Sequence, residues 1–272
     1  MADNEDNQTD LTLNYQKIPV TSSNVIVDKN TWIMIAQFVW GLFITILASL
    51  WYYKRLATYQ YWYDIFLLPL NIYGNIWLFT FSVAVFAWAA MKILLKIHPI
   101  KEGIFDLGTA EGQEEYKFYR LRFWFAYFAL WLARAVPLPW SDFIVWRMMG
   151  SKMGKNVCLY DSWMDIELID IGDFVMTSIN TSILSHAIYD NKFIQMKTVV
   201  KKNAITGAQS IIAPGTVVEE GAVLGAAAST YVGQRLEGNL IHVGTPVSKH
   251  FPISNDAETQ DEDSTDEMEG QR

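Results

Sequence analysis

From Met153 onward the chain keeps a period of six. Met153-Gly-Lys-Asn-Val-Cys is followed in register by Ile171-Gly-Asp-Phe-Val-Met, Thr177-Ser-Ile-Asn-Thr-Ser and Ile183-Leu-Ser-His-Ala-Ile. After an interruption the sixes resume at Val200-Lys-Lys-Asn-Ala-Ile and run through Ile212-Ala-Pro-Gly-Thr-Val to Leu224-Gly-Ala-Ala-Ala-Ser. Of the eleven hexads that begin between Met153 and Leu224, eight open on an aliphatic residue or Met, and nine carry Ser, Thr, Ala or Val in fifth place. A helix repeats about every 3.6 residues and a strand every two, so neither sustains a six. A triangular β-helix does: each face takes six residues, the first side chain fills the interior, and a small or β-branched fifth residue fits the corner. Stacked coils bury their interior only against neighbours and need capped ends, for which the aromatic segments before Met153 and the stretch Tyr231 to Phe251 are the candidates. The frame fails between Asp161 and Asp170, where Asp165 would point inward. A buried unpaired carboxylate costs several kcal/mol, so a bulge or loop is expected there.

The half before Met153 is physically different, holding ten of the 11 Trp residues. Between Lys29 and Lys54 lie 24 residues without a charge, enough to cross about 30 Å of hydrocarbon as a helix. Trp51, Tyr52 and Tyr53 close this run like an interfacial belt. A second uncharged run covers Ile65 to Met91; Pro69, Asn71, Gly74 and Asn75 make its first third an entry loop and place the span near Tyr73 to Leu95. A single span plus a buried hairpin is the alternative. Lys17, Lys29, Lys92, Lys96 and Lys101 flank the outer ends against Lys54 and Arg55 between, which puts both termini and the repeat domain in the cytoplasm. The aromatic run Phe118 to Arg134, bounded by cations, reads as an in-plane interfacial helix. Pro137 and Pro139 break the chain before a second short amphipathic segment, Trp140 to Met149. An ordinary core helix beneath the repeat domain is the competing reading of this second segment.

The expected organisation is a disordered acidic tail over 1–28, two transmembrane helices over 29–98, and a linker with interfacial helices over 99–152. A β-helix over 153–251, interrupted by a loop at 189–199, and a disordered acidic tail over 252–272 complete it. The net charge of −8 belongs to residues 1–10 and 252–272, which hold twelve of the 29 acids. The body is slightly basic, and no basic patch interleaved with exposed aromatics points to nucleic acid. Cys158 is the single cysteine, which excludes an internal disulfide framework and a Cys-based zinc site.

These hexads resemble the left-handed parallel β-helix superfamily of trimeric acyltransferases. The longer pattern Asp165-Ile-Glu-Leu-Ile-Asp-Ile-Gly-Asp173, Ile183-Leu-Ser-His186, Ile212-Ala-Pro-Gly-Thr-Val and His242-Val-Gly-Thr-Pro246 is similar to a narrower group. That group is the membrane-bound C-terminal region of non-ribosomal peptide synthetases of the ε-poly-lysine synthetase type. The likeness covers roughly 31–251, including Arg147-Met-Met-Gly-Ser-Lys-Met-Gly-Lys-Asn-Val157 leading into the first coil. It implies N-terminal transmembrane helices followed by an all-β left-handed helix, assembled as a homotrimer. It also implies transfer of an acyl or aminoacyl group from a thioester to an amine or hydroxyl. No bound cofactor or metal is implied; acyl-CoA or a carrier-protein thioester is the donor. The synthetases string three such units behind adenylation and carrier domains, so a carrier protein or adenylating enzyme acting in trans is expected besides membrane lipid.

In that superfamily a histidine on a coil's outer face, just before an extended loop, lies in the cleft between subunits and deprotonates the acceptor. His186 matches: it stands fourth in its hexad, hence outward, and Tyr189 to Thr198 interrupts the sixes directly afterwards. Imidazole suits the work because its ordinary pKa lies near operating pH. The family's His-x-x-x-Asp spacing is met by His186 and Asp190, whose carboxylate would orient the ring or hold an acceptor amine. Tyr189 and Asn191 stand where acidic and basic residues are usual. Asp165 and Asp173 are further candidates to line the substrate cleft, against the ordinary use of Asp in turns. His242 and His250, beyond the last hexad, read as cap residues, and a His-ligated zinc site lacks a second histidine near His186. The alternative in a different class is a catalytically inactive trimeric membrane scaffold.

Overall fold

The structure, a computed structural model, describes residues 30–58, 62–136 and 140–253. The expected tail over 1–28, the other expected tail from 254 on, Lys17 and Lys29, and the prolines Pro137 and Pro139 lie outside these residues; Pro252, expected in the second tail, ends a strand. The helical part comprises α1 (Thr31–Ala57), the short α2 (Tyr63–Phe66), α3 (Leu68–Ile97), α4 (Ala110–Ala135) and α5 (Ser141–Met149).

Helices α1 and α3 pair closely and are each long and apolar enough to cross a bilayer. Their outer faces carry large apolar side chains with no protein cover, such as Trp32 at 57%, Leu50 at 58% and Ile93 at 59% exposed. The pair meets across Gly41, where a Cβ would stand 2.6 Å from the Phe79 ring, so only glycine admits this approach. The expected entry loop is instead the first turns of α3. Pro69 sits in the first turn, where its missing N–H costs nothing. Asn75 donates to Asn71 Oδ1 at 3.0 Å and accepts from Ser49 of α1 at 2.8 Å, so the polar residues knit the helices together instead of breaking one. At the turn between the two helices Arg55 pairs with buried Asp64 at 3.0 Å.

From Met153 the chain winds a parallel β-helix whose inward columns follow the six-residue register. Met153, Ile171, Val200, Val218 and Leu236 stack on one face. Leu159, Thr177, Thr206, Leu224 and His242 stack on the second, and Met164, Ile183 and Ile212 on the third. The fourth residue of most sides turns the corner with positive φ, for example Asn156, Phe174, Asn180, Asn203 and Gln209, a conformation Asn and Gly adopt at least cost. The buried fifth residues Val175, Thr181, Ala204, Ser210 and Ala222 pack just inside each corner. His242 continues the second interior column, 5% exposed with Nε2 2.8 Å from the Glu237 carbonyl, and is therefore a coil residue. The strand Val247–Pro252 closes the far end by pairing antiparallel with Leu240–Gly244.

Two irregularities depart from the strict six. Around the first coil the third inward residue is Met164, so that side is one residue short and the next one longer. The slip moves Asp165 off the interior column, which resolves its apparent inward position without a separate loop. The interruption expected over 189–199 is a β-hairpin, His186–Tyr189 against Lys192–Gln195, after which the coil resumes at Thr198–Val200. Its two-residue turn, Asp190 and Asn191 at φ 46° and 58°, has the double positive φ that matches the twist of a tight hairpin. The strand Gly103–Asp106 adds to the Lys192–Gln195 edge in antiparallel register.

One continuous core joins the two halves: Val83, Ala84, Ala87 and Met91 of α3, Ala126, Leu130 and Ala133 of α4, Val145, Trp146 and Met149 of α5, and the first coils. Protein thus covers α4 on both sides, from Gln37 of α1, which donates to the Phe125 carbonyl at 2.9 Å, to the coil wall. The aromatic run expected to lie in plane on a membrane surface is the layer between the apolar helices and the β-helix.

Candidate active site

The site lies where the second coil fails to turn. His186 occupies the fourth place of its side, the corner position elsewhere, but here the chain runs straight into the hairpin. Its ring projects outward and is covered by α4, leaving the residue 2% exposed. Local chemistry fixes α4 in that place. Asp106 and Thr109 shape the turn after the added strand, with Asp106 Oδ1 accepting from Gly108 N at 2.7 Å. Thr109 caps the helix by accepting from Gly112 N at 3.1 Å. At the α3 end, buried Glu115 takes Lys101 at 2.8 Å and His98 at 3.3 Å, and His98 stacks on Phe118.

Both imidazole nitrogens of His186 are engaged. Nδ1 lies 2.5 Å from Asp165 Oδ2, which also accepts from the backbone N–H groups of Ser185 at 2.7 Å and His186 at 3.3 Å. A carboxylate only accepts, so Nδ1 carries the proton and Nε2 is left as the acceptor. Nε2 faces the Tyr119 hydroxyl at 2.5 Å, and that hydroxyl therefore donates. The Tyr119 ring lies between His186 and Phe193, with centroids 4.4 and 5.1 Å away. Burial, with Asp165 and Glu167 nearby, pushes the Tyr119 phenol well above its ordinary value, so it is a firm donor. Asp165, His186 and Tyr119 form a relay of carboxylate, imidazole and hydroxyl in the order general-base catalysis requires.

One turn further along the same face of α4, Arg122 forms a second rung. Its Nε donates to Glu167 Oε1 at 2.6 Å, and Glu167 stands two residues after Asp165 on the opposing wall. Arg122 is 1% exposed, yet Nη1 and Nη2 have no partner among the described residues, nor does Glu167 Oε2. Burial raises the Glu167 carboxyl above its usual range against the pull of Arg122. Tyr119, Arg122, Phe123, Asp165, Glu167 and Ser185 line a narrow crevice between these rungs.

Of the residues singled out from the sequence, the structure brings His186 and Asp165 together. Asp165 orients the imidazole where a substrate contact was expected. Asp190 sits exposed in the hairpin turn, and both ring nitrogens of His186 already have other partners, so it does not hold the ring. Asp173 is a turn residue whose Oδ1 accepts from Lys155 N at 2.6 Å, stitching adjacent coils. The position expected in a cleft between subunits is instead roofed by α4 of the same chain. Tyr119, Arg122 and Glu167 were missed. The i, i+3 spacing of Tyr119 and Arg122 on one helix and the alternation of Asp165 with Glu167 were the available signals.

No family model and no curated protein matches the chain. Among solved structures it is similar to a variant of AntD, an N-acyltransferase from Bacillus cereus, in complex with dTDP-4-amino-4,6-dideoxyglucose and coenzyme A. That match has 23% identity over 43% of this chain and 68% of the other, with a TM-score of 0.31. A maltose O-acetyltransferase from Clostridium difficile 630 matches at 14% identity over 56% of this chain and 93% of its own, with a TM-score of 0.42. The hexapeptide-repeat-containing acetyltransferase VCA0836 from Vibrio cholerae matches at 14% identity over 48% and 89%, with a TM-score of 0.40.

Proposed function

We propose that this chain is a membrane-anchored acyltransferase that moves an acyl or aminoacyl group from a thioester to an amine or hydroxyl, with His186 as general base. The observation that carries the reading is the relay itself: Asp165 fixes the tautomer and Nε2 is presented to a hydroxyl. An acceptor N–H or O–H takes the place of the Tyr119 hydroxyl and gives its proton to Nε2 as it attacks the thioester carbonyl. The tetrahedral intermediate then collapses, the C–S bond breaks, and the thiolate takes the proton back from Nε2–H. An amide or ester and a free thiol result. Acyl-CoA and a carrier-bound thioester both supply that donor, the latter from a carrier protein or adenylating enzyme in trans.

In this reading α1 and α3 cross the membrane. Because α4 packs against the start of α1 and the end of α3, the base lies near one bilayer face, on the cytoplasmic side by the lysine count. A homotrimer of left-handed β-helices follows the same family expectation. Its support is the outward stripe of Cys158, Met176, Ile205, Val223 and Ile241 along one wall, apolar across five coils. The competing scaffold reading is favoured by the near-complete burial of His186 with both nitrogens occupied.

Thiol release from acyl-CoA and aminoacyl-thioester donors, with mixed amine and hydroxyl acceptors, tests the proposal on detergent-purified protein. Release that depends on the acceptor and falls about 10²- to 10⁴-fold in His186→Ala supports it. Equal background release from both proteins, with their assembly intact, supports the scaffold.

A further inference from the structure

Gln195 stands directly opposite His186 in the hairpin, and opposite Gly103 on its other flank. Residues paired this way across antiparallel strands project from one face with their Cβ atoms about 4.5–5.5 Å apart. The Gln195 carboxamide therefore leaves the sheet beside the imidazole. Phe193, two positions earlier on the strand, shares that face. The Tyr119 ring rests against both His186 and Phe193, at 4.4 and 5.1 Å, and so roofs the part of the face from which Gln195 rises.

Gln195 is 2% exposed, and neither its Nε2 nor its Oε1 has a partner among the described residues. Its neighbours show why. Gly103 has no side chain, and the Phe105 ring lies 3.3 Å from where its Cβ would stand. Phe193 is apolar, and both His186 nitrogens are committed to Asp165 and Tyr119. Buried polar atoms in native folds are paired, and an orphaned amide lowers stability. An apolar side chain of the same size would remove that cost, so the use of the amide lies in what enters the site.

When an acceptor replaces the Tyr119 hydroxyl and attacks a thioester, the C=O π pair moves onto the carbonyl oxygen. A donor aimed at that oxyanion, in a place closed to water, is what lowers such a barrier most. His186 does not serve: Nδ1–H is held by Asp165, and Nε2 is taking the acceptor's proton. Gln195 Nε2 carries two N–H groups that nothing in the fold accepts. We propose that Gln195 is a catalytic residue whose Nε2–H donates to the thioester oxygen as it becomes an oxyanion beside His186. The carboxamide also matches the adduct as a whole. Oε1 and Nε2 are bonded to one carbon, as are the oxyanion and the attacking atom of the tetrahedral intermediate. The second N–H of an amine acceptor therefore meets Oε1 while the oxyanion meets Nε2. On collapse the electron pair returns to form C=O, the C–S bond breaks and the thiolate takes its proton from His186. Gln195 is unchanged. This role rests on the acyl-transfer reading and adds to it a residue that reading does not require.

Thiol release by the detergent-purified full chain, with acyl-CoA and aminoacyl-thioester donors, is compared between wild type, Gln195→Met and Gln195→Leu, with thermal melts beside it. In both variants kcat should fall about 10²- to 10³-fold. The acceptor KM should stay little changed, because the donor is used only once charge develops. Melting temperatures should equal or exceed that of the wild type, since an orphaned amide has given way to an apolar side chain. A merely structural glutamine predicts the reverse pairing, lower melting with the rate intact. Three results would overturn the proposal: wild-type kcat in either folded variant, a raised KM with kcat unmoved, or a lowered melting temperature in both variants. In those cases release by the wild type leaves the transfer reading standing. Absence of release from the wild type itself removes that reading, and the role of Gln195 with it.

Discussion

Tyr119→Phe separates two roles for the hydroxyl that stands on the base. The substitution deletes one oxygen and leaves the ring between His186 and Phe193, at centroid distances of 4.4 and 5.1 Å, so packing is conserved. What is lost is one buried hydrogen bond at 2.5 Å, whose net worth is about 0.5–1.5 kcal/mol. An acceptor that must displace this hydroxyl binds only the fraction of molecules in which the ring has swung away. Removing the bond raises that fraction by the same free energy, and about 1.4 kcal/mol is tenfold. The acceptor KM should therefore fall about 2- to 10-fold with kcat unchanged. The folded state should lose about 1 kcal/mol, because Nε2 is left without its donor. Acceptor-dependent thiol release across an acceptor series, with thermal melts beside it, reads both numbers. A drop in kcat of about tenfold or more with KM unmoved would refute the reasoning and place the Tyr119 hydroxyl in the chemistry.

Asp165→Asn retains an acceptor for Nδ1–H but removes the charge that makes the bond strong, a loss of about 1–2 kcal/mol. The rate should fall about 5- to 30-fold in the same assay, and thermal melts should show a loss of stability of the same order. Asp190→Ala should leave kcat unaltered and cost about 1 kcal/mol in a denaturant titration, because alanine pays for the left-handed backbone at φ 46°. For Glu167 the sign follows from burial. Its carboxyl is raised above 4.5, so the folded chain holds that proton more tightly than the unfolded one. Between the ordinary and the raised value, stability falls as pH rises. Melts at a series of pH values from below 4.5 upward should show that slope in the wild type and a flatter one in Glu167→Gln.

The coil register was legible because it is written one side chain at a time: an aliphatic residue every sixth position has only one geometry that buries it. His186 was legible as an interruption of that pattern. Its partners were not, for two different reasons. Asp165 was hidden by a slip of one residue at Met164, which a strict frame cannot anticipate, although the cost of an inward carboxylate already argued that the frame could not hold there. Tyr119 lies 67 positions before His186, and no local periodicity carries information over that distance. Only the docking of α4 on the first coils, through the shared core and the Gly103–Asp106 strand, brings the two together. Asp190 misled because the spacing from His186 matched a motif. The tight-turn propensity of Asp190-Asn191 between Tyr189 and Lys192 was the better physical clue. In α3, Asn71 and Asn75 read as helix breakers in isolation and act as glue once α1 supplies Ser49.

The relay draws on the first two coils, those next to the helices, and on α4. The windings from Val200 to the closing strand at Val247–Pro252 touch none of its polar atoms, and each complete winding adds only about 4.8 Å of height. The outer windings therefore behave as an extensible stack. Whole turns of 18 residues, the interval from Val200 to Val218 to Leu236, can be gained or lost there by duplication or deletion. Such changes alter how far the free end stands from the apolar helices while the relay at the other end stays in place.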